Sequence, residues 1–135
     1  MNRTGLLNNK ILFIFIALGF LAACAVGIEE RRKPIPPKPF VKELWQSLDT
    51  MDIRWAERPA MARDLINKNI LVGKSRAEIT ELLGEPNFDS PPEIEYELEQ
   101  IFGSIEPIAF ENLKLVFNEA EKVEKAEIKL VKVKD

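Results

Sequence analysis

The hydrophobic pattern divides the chain into three parts. An uncharged, strongly apolar run covers residues 11–28, and a proline-rich stretch follows at residues 34–39. From Pro59 onward, apolar residues recur first at helical spacing and then at every second position. This order predicts helices followed by strands, which is the pattern of an α+β domain.

The first predicted helix begins near Pro59, a residue that suits the first turn of a helix. Met61 and Leu65 give it an apolar stripe that continues to about Lys68. Asn69 is expected to break the helix.

The second predicted helix has matching start, face and stop signals. Ser75 and Glu78 have the spacing of a capping box, in which the serine hydroxyl accepts from the amide of the third helical residue and the glutamate reaches back. The buried stripe consists of Ile79, Leu82 and Leu83. Gly84 can adopt the left-handed conformation at the end of the helix, and Pro86 cannot continue it.

Three strands are predicted after a loop at residues 87–92. In the first strand, apolar Ile94, Tyr96 and Leu98 alternate with Glu93, Glu95, Glu97 and Glu99. Residues 113–117 alternate in the second, and residues 123–130 form the third, in which the interval from Val123 to Ala126 requires a bulge or a late start. Residues 118–121 can form a short hairpin turn between the last two strands. The predicted fold over residues 59–133 is therefore two helices packed on one face of a three-stranded antiparallel sheet.

A lead-in segment, residues 40–58, precedes this domain and has a helix-like pattern. Its apolar residues at four-residue spacing are Phe40, Leu44 and Leu48. The segment also carries both tryptophans, Trp45 and Trp55. Because aromatic residues are enriched at interface hot spots, these two and Tyr96 are candidates for an interaction surface. The alternative interpretation is core packing against the following helices.

Composition removes several classes of chemistry. The chain has no histidine and one cysteine, which excludes His-dependent triads, Cys–His pairs, His-bearing zinc sites and an intrachain disulfide. Its 19 basic and 22 acidic residues give a net charge of −3, whereas a nucleic-acid binder needs a basic face. A carboxylate-only enzyme and a protein that works by binding remain.

The apolar run has the organisation of an export signal. Arg3 and Lys10 precede it, and its most apolar part, residues 11–21, gives way to small residues. This profile predicts a signal peptide followed by its cleavage region. The uncharged residues 11–28 also reach the lower length limit for a membrane-spanning helix, so an uncleaved signal anchor is the alternative.

The end of this run resembles the lipobox of bacterial lipoproteins. The four residues concerned are Leu21, Ala22, Ala23 and Cys24. The resemblance implies that residues 1–23 are removed and that Cys24 receives acyl chains, which hold a protein at a membrane without a spanning helix. The next residues, Ala25 and Val26, are not aspartate. In enterobacterial lipoproteins that pattern implies the periplasmic face of the outer membrane.

Residues 24–39 are predicted to be the lipidated N-terminus and a linker. Residues 29–33 are all charged, and prolines occupy four of the six positions 34–39. This composition disfavours a helix and favours extended polyproline II, which would span roughly 45 Å from the anchor. A proline-rich ligand for an aromatic groove is the alternative.

Two turn-and-cap elements resemble the signature of the SmpA/OmlA (BamE-like) domain family. They are Leu71-Val72-Gly73-Lys74-Ser75-Arg76-Ala77-Glu78-Ile79 and Leu82-Leu83-Gly84-Glu85-Pro86. Tyr96 and the strand at residues 113–117 follow as in the family, and a lipobox belongs to the same pattern. The resemblance covers about residues 59–133 and implies an ααβββ fold. It also implies an outer-membrane lipoprotein that binds β-barrel assembly components or another envelope protein.

Catalytic and metal chemistry have little support in the sequence. The four strand glutamates could bind a cation or a basic partner, but a solvated acidic face that guards a sheet edge accounts for them. Glu85, Asp89 and Glu93 could form an acid–base pair, but no nucleophile, orienting residue or metal partner accompanies them. We therefore expect no catalytic residue, metal, cofactor or nucleic-acid partner. The alternatives are a periplasmic ligand-binding module, an enzyme inhibitor and a carboxylate-dependent hydrolase.

Overall fold

A computed structural model describes residues 33–48 and 57–133, and its compact unit begins at Ile35. The helices are α1 (Lys42–Ser47), α2 (Glu57–Asn67) and α3 (Arg76–Leu83), and the strands are β1 (Phe88–Ser90), β2 (Glu93–Phe102), β3 (Pro107–Phe117) and β4 (Val123–Lys132). No helix in these described ranges has the length and apolarity needed to cross a membrane. The predicted signal peptide, the lipobox with Cys24, and Trp55 lie outside the described residues.

The sheet is antiparallel throughout, with the order β1-β2-β3-β4. The α+β class is therefore confirmed, but the predicted number of strands is wrong. The additional strand, β1, lies in the segment predicted to be a loop, and all of its residues are exposed. No apolar alternation marks such a strand in the sequence; it forms because its backbone pairs with residues 93–95 of β2.

The structure also contains a third helix, which the two-helix prediction for the domain does not include. Helix α1 buries Trp45, whose indole Nε1 donates a hydrogen bond of 3.0 Å to the carbonyl of Leu83 at the end of α3. A six-residue helix is too short to be stable alone, so this tertiary contact holds it in place. The chain before α1 is attached to α2, because the amide of Lys38 donates to the Ala60 carbonyl and the amide of Phe40 donates to Asp64 Oδ2. The last residues of the predicted linker thus pack on the domain.

Both predicted helices form, as α2 and α3. Asn69 adopts the left-handed conformation expected at a helix end, with φ of 52°. The capping box is confirmed: Ser75 Oγ accepts from the Glu78 amide at 3.2 Å, and the Glu78 carboxylate accepts from the Ser75 amide at 3.4 Å. Gly84 has the predicted positive φ of 81°, but its ψ of −169° is extended, so the chain leaves α3 without a left-handed helical turn.

Three register shifts interrupt the pairing of the long strands, two between β2 and β3, at Glu97/Glu99 and Ile101/Phe102, and one between β3 and β4. Val116 pairs with Lys125 whereas Phe117 pairs with Val123, so Glu124 is the extra residue in β4. This confirms the irregularity predicted between Val123 and Ala126. A second register shift, which the alternation does not reveal, lies between Glu97 and Glu99 in β2.

The predicted turn between the last two strands is confirmed. The side-chain oxygen of Asn118 accepts hydrogen bonds from the amides of Ala120 and Lys122. Glu121 has a φ of 57°, a conformation that a glycine adopts more easily. The asparagine therefore organises a turn that contains no glycine.

The helices cover one face of the sheet. Fully buried members of the core are Trp45, Met61, Leu65, Ile79, Ile94, Tyr96, Leu113 and Leu115. Alternate residues of β2 and β3 point into this core, as expected for strands that are buried on one side. The other face, called the charged face below, is described with the candidate surfaces.

Candidate interaction surfaces

Trp45 and Tyr96 do not form an exposed interaction surface. Both side chains have no accessible surface, and their rings meet edge to face with centroids 6.4 Å apart. The interpretation as core packing is therefore correct for these two residues, and the predicted surface role is wrong. An amphipathic pattern marks a residue for burial but does not distinguish a core from an interface.

The side chains of Trp45 and Tyr96 donate hydrogen bonds to backbone carbonyls at the end of α3. Trp45 donates to the carbonyl of Leu83, and the Tyr96 hydroxyl donates to the carbonyl of Gly84 at 2.8 Å. The carbonyls of a last helical turn have no partner inside the helix, so these donors satisfy them. Burial raises the pKa of the Tyr96 hydroxyl, which stays a donor. Arg58 lies 4.9 Å from the centre of the Trp45 ring and closes the cluster.

The charged face of the sheet carries interleaved acids, bases and amides. It consists of Glu93, Glu95, Glu97, Gln100, Phe110, Asn112, Lys114, Val116, Lys125, Glu127, Lys129 and Val131. Lys114 pairs with Glu93 at 3.0 Å, Lys129 with Glu95 at 3.2 Å, and Lys125 with Glu127 at 3.0 Å. The predicted acidic face is therefore a mixed face, because β3 and β4 place lysines beside the glutamates of β2.

Glu95 is the most extensively bonded carboxylate of this face. Its two oxygens accept from Asn112 Nδ2 at 2.8 Å and from Lys129 Nζ at 3.2 Å. Burial alone would raise the pKa of Glu95, but these two hydrogen bonds and the positive charges of Lys129 and Lys114 together outweigh it and hold the pKa below the ordinary value of a glutamate. The hydrogen bond to Glu93 similarly raises the pKa of Lys114. Both shifts favour the charged forms of Glu95 and Lys114 at neutral pH.

The four glutamates of β2 do not all share one face, and their strand is not an edge. Strand β2 lies between β1 and β3, and the bulge before Glu99 turns that residue to the helix side. Glu99 is buried there and sits directly opposite buried Glu111 of β3. Arg63 of α2 reaches Glu111 with 2.8 Å between Nη1 and Oε1. No sequence signal marks this buried ion pair, since its partners are 48 positions apart.

Two of the three carboxylates considered for acid–base chemistry, Asp89 and Glu93, form ion pairs. Arg76 forms an ion pair with Asp89 at 3.1 Å, and Lys114 forms one with Glu93. Within the described ranges, no group of three or more Asp, Glu, Cys or His residues has the geometry to hold a metal ion. The arrangement of these two carboxylates is that of surface ion pairs.

Exposed apolar side chains gather at the far end of the β2–β3 hairpin. This hairpin-end patch consists of Phe102, Ile105, Ile108 and Val133, with exposed fractions of 45%, 86%, 42% and 43%. The Val133 amide donates to the Ile108 carbonyl, which links two members of the patch, and the Gly103 amide donates to the Glu106 carbonyl, which closes the turn that carries Ile105. Clustered exposed apolar residues mark sites of protein or membrane contact, whereas isolated ones do not.

Two shallow depressions lie on the surface of the described residues. One of about 230 Å³ is lined by Lys42, Lys74, Glu78, Glu81 and Leu82. The other, about 820 Å³, lies at the β3–β4 turn, where Glu119, Glu121 and Glu124 surround Pro92 and Phe117. The rim of the larger depression is therefore acidic.

No protein-family model, no curated protein and no solved structure matches this chain. The resemblance to the BamE-like family, and the lipobox at Cys24, therefore stay predictions from the sequence. The structure contributes the architecture and the surfaces from which a function can be argued.

Proposed function

We propose that this chain is an outer-membrane lipoprotein, anchored through Cys24, whose periplasm-facing domain is a protein-binding module in outer-membrane or envelope assembly. The observation that carries the proposal is the sequence Leu21-Ala22-Ala23-Cys24 at the end of an N-terminal apolar run. Its cysteine is the only one in the chain, and it stands where a lipoprotein receives its acyl chains.

The arrangement that follows the cysteine supports an anchored domain. Between Cys24 and the start of the compact unit at Ile35, five of the ten residues are charged, at positions 29–33, and Pro34 follows them. Such a segment resists helix formation and suits a linker. A binding module at its end would be tethered to the membrane through this segment.

The hairpin-end patch supports binding rather than catalysis. Its apolar side chains cluster at one end of the sheet, and Ile105 is almost fully exposed. The carboxylates Asp89 and Glu93 are held in ion pairs with basic side chains, an arrangement of structural rather than acid–base character. We assign the hairpin-end patch as the surface that contacts a β-barrel assembly component or another envelope protein.

The anchor is tested by Cys24→Ala with metabolic labelling of acyl chains. The unmodified chain should incorporate label and sediment with outer membranes, and the variant should lose both properties. Ala25→Asp is the matched control: it keeps the cysteine, so it should keep the label but remain in the inner membrane where enterobacterial sorting applies. Persistence of label and membrane association in Cys24→Ala would show that the lipoprotein assignment is wrong.

The binding surface is tested by a photo-crosslinking residue at Ile105 in cells. Crosslinks to a β-barrel assembly component are expected from Ile105, because this side chain is 86% exposed, the most of any member of the hairpin-end patch. The control position is Phe88, which is exposed on β1, where that strand pairs with the end of β2 that lies away from the hairpin. Crosslinks to no assembly component from Ile105 would remove that partner and leave the anchor assignment intact.

A further inference from the structure

Strand β4 forms an edge of the sheet, and part of that edge is already occupied. Among residues 33–48 and 57–133, no strand lies outside β4. At its start, the Val123 amide donates to the Lys74 carbonyl at 2.9 Å, and the Gly73 amide donates to the Val123 carbonyl at 2.8 Å. The segment before α3 therefore covers the edge as far as Val123 and leaves residues 124–132 as an open stretch.

The pairing with β3 determines which backbone groups of this stretch point outward. The Val133 amide donates to the Ile108 carbonyl of β3, so the odd-numbered residues of β4 from Lys125 onward direct their backbone groups to β3. The bulge at Glu124 reverses this order at Val123, whose backbone groups point outward. Because the direction alternates along a strand, the amides and carbonyls of Ala126, Ile128 and Leu130 point to the open side. A second strand would bond to these even-numbered residues.

We propose that two copies of this chain pair antiparallel through β4, with Ile128 on the two-fold axis, to form one continuous eight-stranded sheet. In this register even-numbered residues face even-numbered residues, as the outward backbone groups require. The pairs are Glu124 with Lys132, Lys125 with Val131, Ala126 with Leu130, Glu127 with Lys129, and Ile128 with itself. Each charged residue faces either its opposite charge or an aliphatic side chain.

Neighbouring registers are less favourable because they place like charges opposite each other, meet the occupied part of the edge, or shorten the pairing. Centring on Glu127 places that residue opposite itself and Lys125 opposite Lys129, and centring on Lys129 places that lysine opposite itself. Like charges directly opposite each other destabilise a sheet. A centre at Ala126 would direct the second strand onto Val123, whose outer side is bonded to Lys74. A centre at Leu130 shortens the pairing and loses both opposite-charge pairs.

The charged face continues without interruption across the proposed junction. Within one copy, Lys129 lies beside Asn112, and Glu127 lies beside Lys114, which is next to Glu95. Across the junction Lys129 meets Glu127 of the second copy. The resulting row runs Asn112, Lys129, then Glu127, Lys114 and Glu95 of the second copy, so every charge has an opposite neighbour.

The lysines of β4 are expected to prevent pairing with most other strands. Lysine on an edge is a common device against unwanted pairing, since most incoming strands bring no matching carboxylate. Here the second copy supplies glutamates at two matching positions, Glu124 and Glu127. The charge pattern thus selects this chain as the partner of its own edge.

The register is tested by disulfide formation between two differently tagged full chains in the membrane host. One chain carries Glu127→Cys and the other Lys129→Cys. These positions form a pair without backbone hydrogen bonds between them, with Cα atoms about 4.5 Å apart, which a disulfide can bridge. We expect mixed-tag dimers under mild oxidation and few dimers from either variant alone. A chain with only Cys24 gives the background.

Charge reversal in this crosslinking pair tests whether the opposite-charge pairs across the junction cause the two chains to associate. Glu124→Lys and Lys132→Glu should each weaken association roughly tenfold or more, because two attractive pairs become repulsive in a symmetric dimer. The double reversal restores opposite charges and should restore crosslinking. Glu119→Lys, an exposed change on the β3–β4 turn, should have no effect.

Two results would overturn the proposal. One is the absence of mixed-tag dimers above background from chains whose circular dichroism shows a native fold. The other is stronger crosslinking of Glu127→Cys or Lys129→Cys with itself, which would indicate a different register. Neither result bears on the anchor at Cys24, so this inference and the proposed function can fail separately.

Discussion

The two faces of the sheet are built from the same three long strands but rely on different physics. On the covered face, Tyr96 of β2 is completely buried against the helices, and so is Trp45 of α1, together with aliphatic residues. The charged face alternates glutamates with lysines. Its ion pairs join β3 to β2, through Lys114 and Glu93, and β4 to β2 across β3, through Lys129 and Glu95. Complete burial of a large side chain contributes roughly 1.5–3 kcal/mol, whereas an exposed ion pair contributes about 0–1 kcal/mol.

This difference separates stability from recognition. Apolar burial has little directionality, so the covered face stabilises the fold through the volume and shape of its side chains. The order of charges along a strand specifies the register, because shifting a paired strand by one residue changes the neighbour of every side chain. The charged face therefore adds little stability but determines which strand can extend the sheet beyond β4.

The largest expected effect is on the covered face. Trp45→Ala should lower the free energy of unfolding by about 3–5 kcal/mol, because it empties a fully buried site and removes the donor to Leu83. Urea unfolding followed by far-ultraviolet circular dichroism measures this change. Phe88→Ala is the matched control on an exposed aromatic residue and should change stability by about 0.5 kcal/mol or less. Equal losses in the two variants would contradict the comparison.

A smaller effect is expected from Tyr96→Phe. This change keeps the ring in the core and removes only the hydroxyl that donates to Gly84. The carbonyl at the end of α3 then lacks its donor, and we expect a loss of about 1–2 kcal/mol in the same unfolding measurement. An unchanged midpoint would mean that another donor satisfies this carbonyl.

The smallest effect is expected on the charged face, where pH reveals it. The pKa of Glu95 is held below its ordinary value, so its charged form stabilises the fold at neutral pH. That contribution is present above the pKa of the unfolded state and is lost as the pH falls through the pKa of the folded state. Glu95→Gln should therefore cost less than about 1 kcal/mol at pH 7, and the cost should shrink toward pH 3.

Unfolding curves of Glu95→Gln and the unmodified chain between pH 7 and pH 3 provide the measurement. Glu119→Gln, on an exposed turn, should follow the unmodified chain across this range. A difference for Glu95→Gln that grows on acidification would have the wrong sign and would contradict the assigned role of Asn112 and Lys129 as partners of the carboxylate.

Local signals predicted the central elements well. The capping box at Ser75, the break at Asn69 and the irregular start of β4 all depend on residues within a few positions of each other, and all are present. The additional strand β1 escaped prediction because its side chains are exposed and only its backbone pairs. The bulge before Glu99 also escaped, because the glutamates alternate without interruption through it.

The candidate surfaces were less accessible to sequence reasoning. Aromatic character suggested a surface at Trp45 and Tyr96, whereas the structure uses both to close the end of α3. The hairpin-end patch lay in a segment without a clear period, and the exposure of Ile105 follows from where the hairpin ends. Whether an apolar residue becomes core or surface depends on the elements packed against it.

By itself, the sequence determined the helices α2 and α3, their caps, the strand alternation and the position of Cys24 at the end of the apolar run. Each of these depends on neighbours close in the chain, where side chains and backbone meet regardless of the rest of the fold. Only the tertiary structure decided that Trp45 belongs to the core, that Glu99 faces the helices and that β4 has an open edge beyond Val123. These features depend on contacts between distant segments, because burial and edge exposure are properties of the packed sheet.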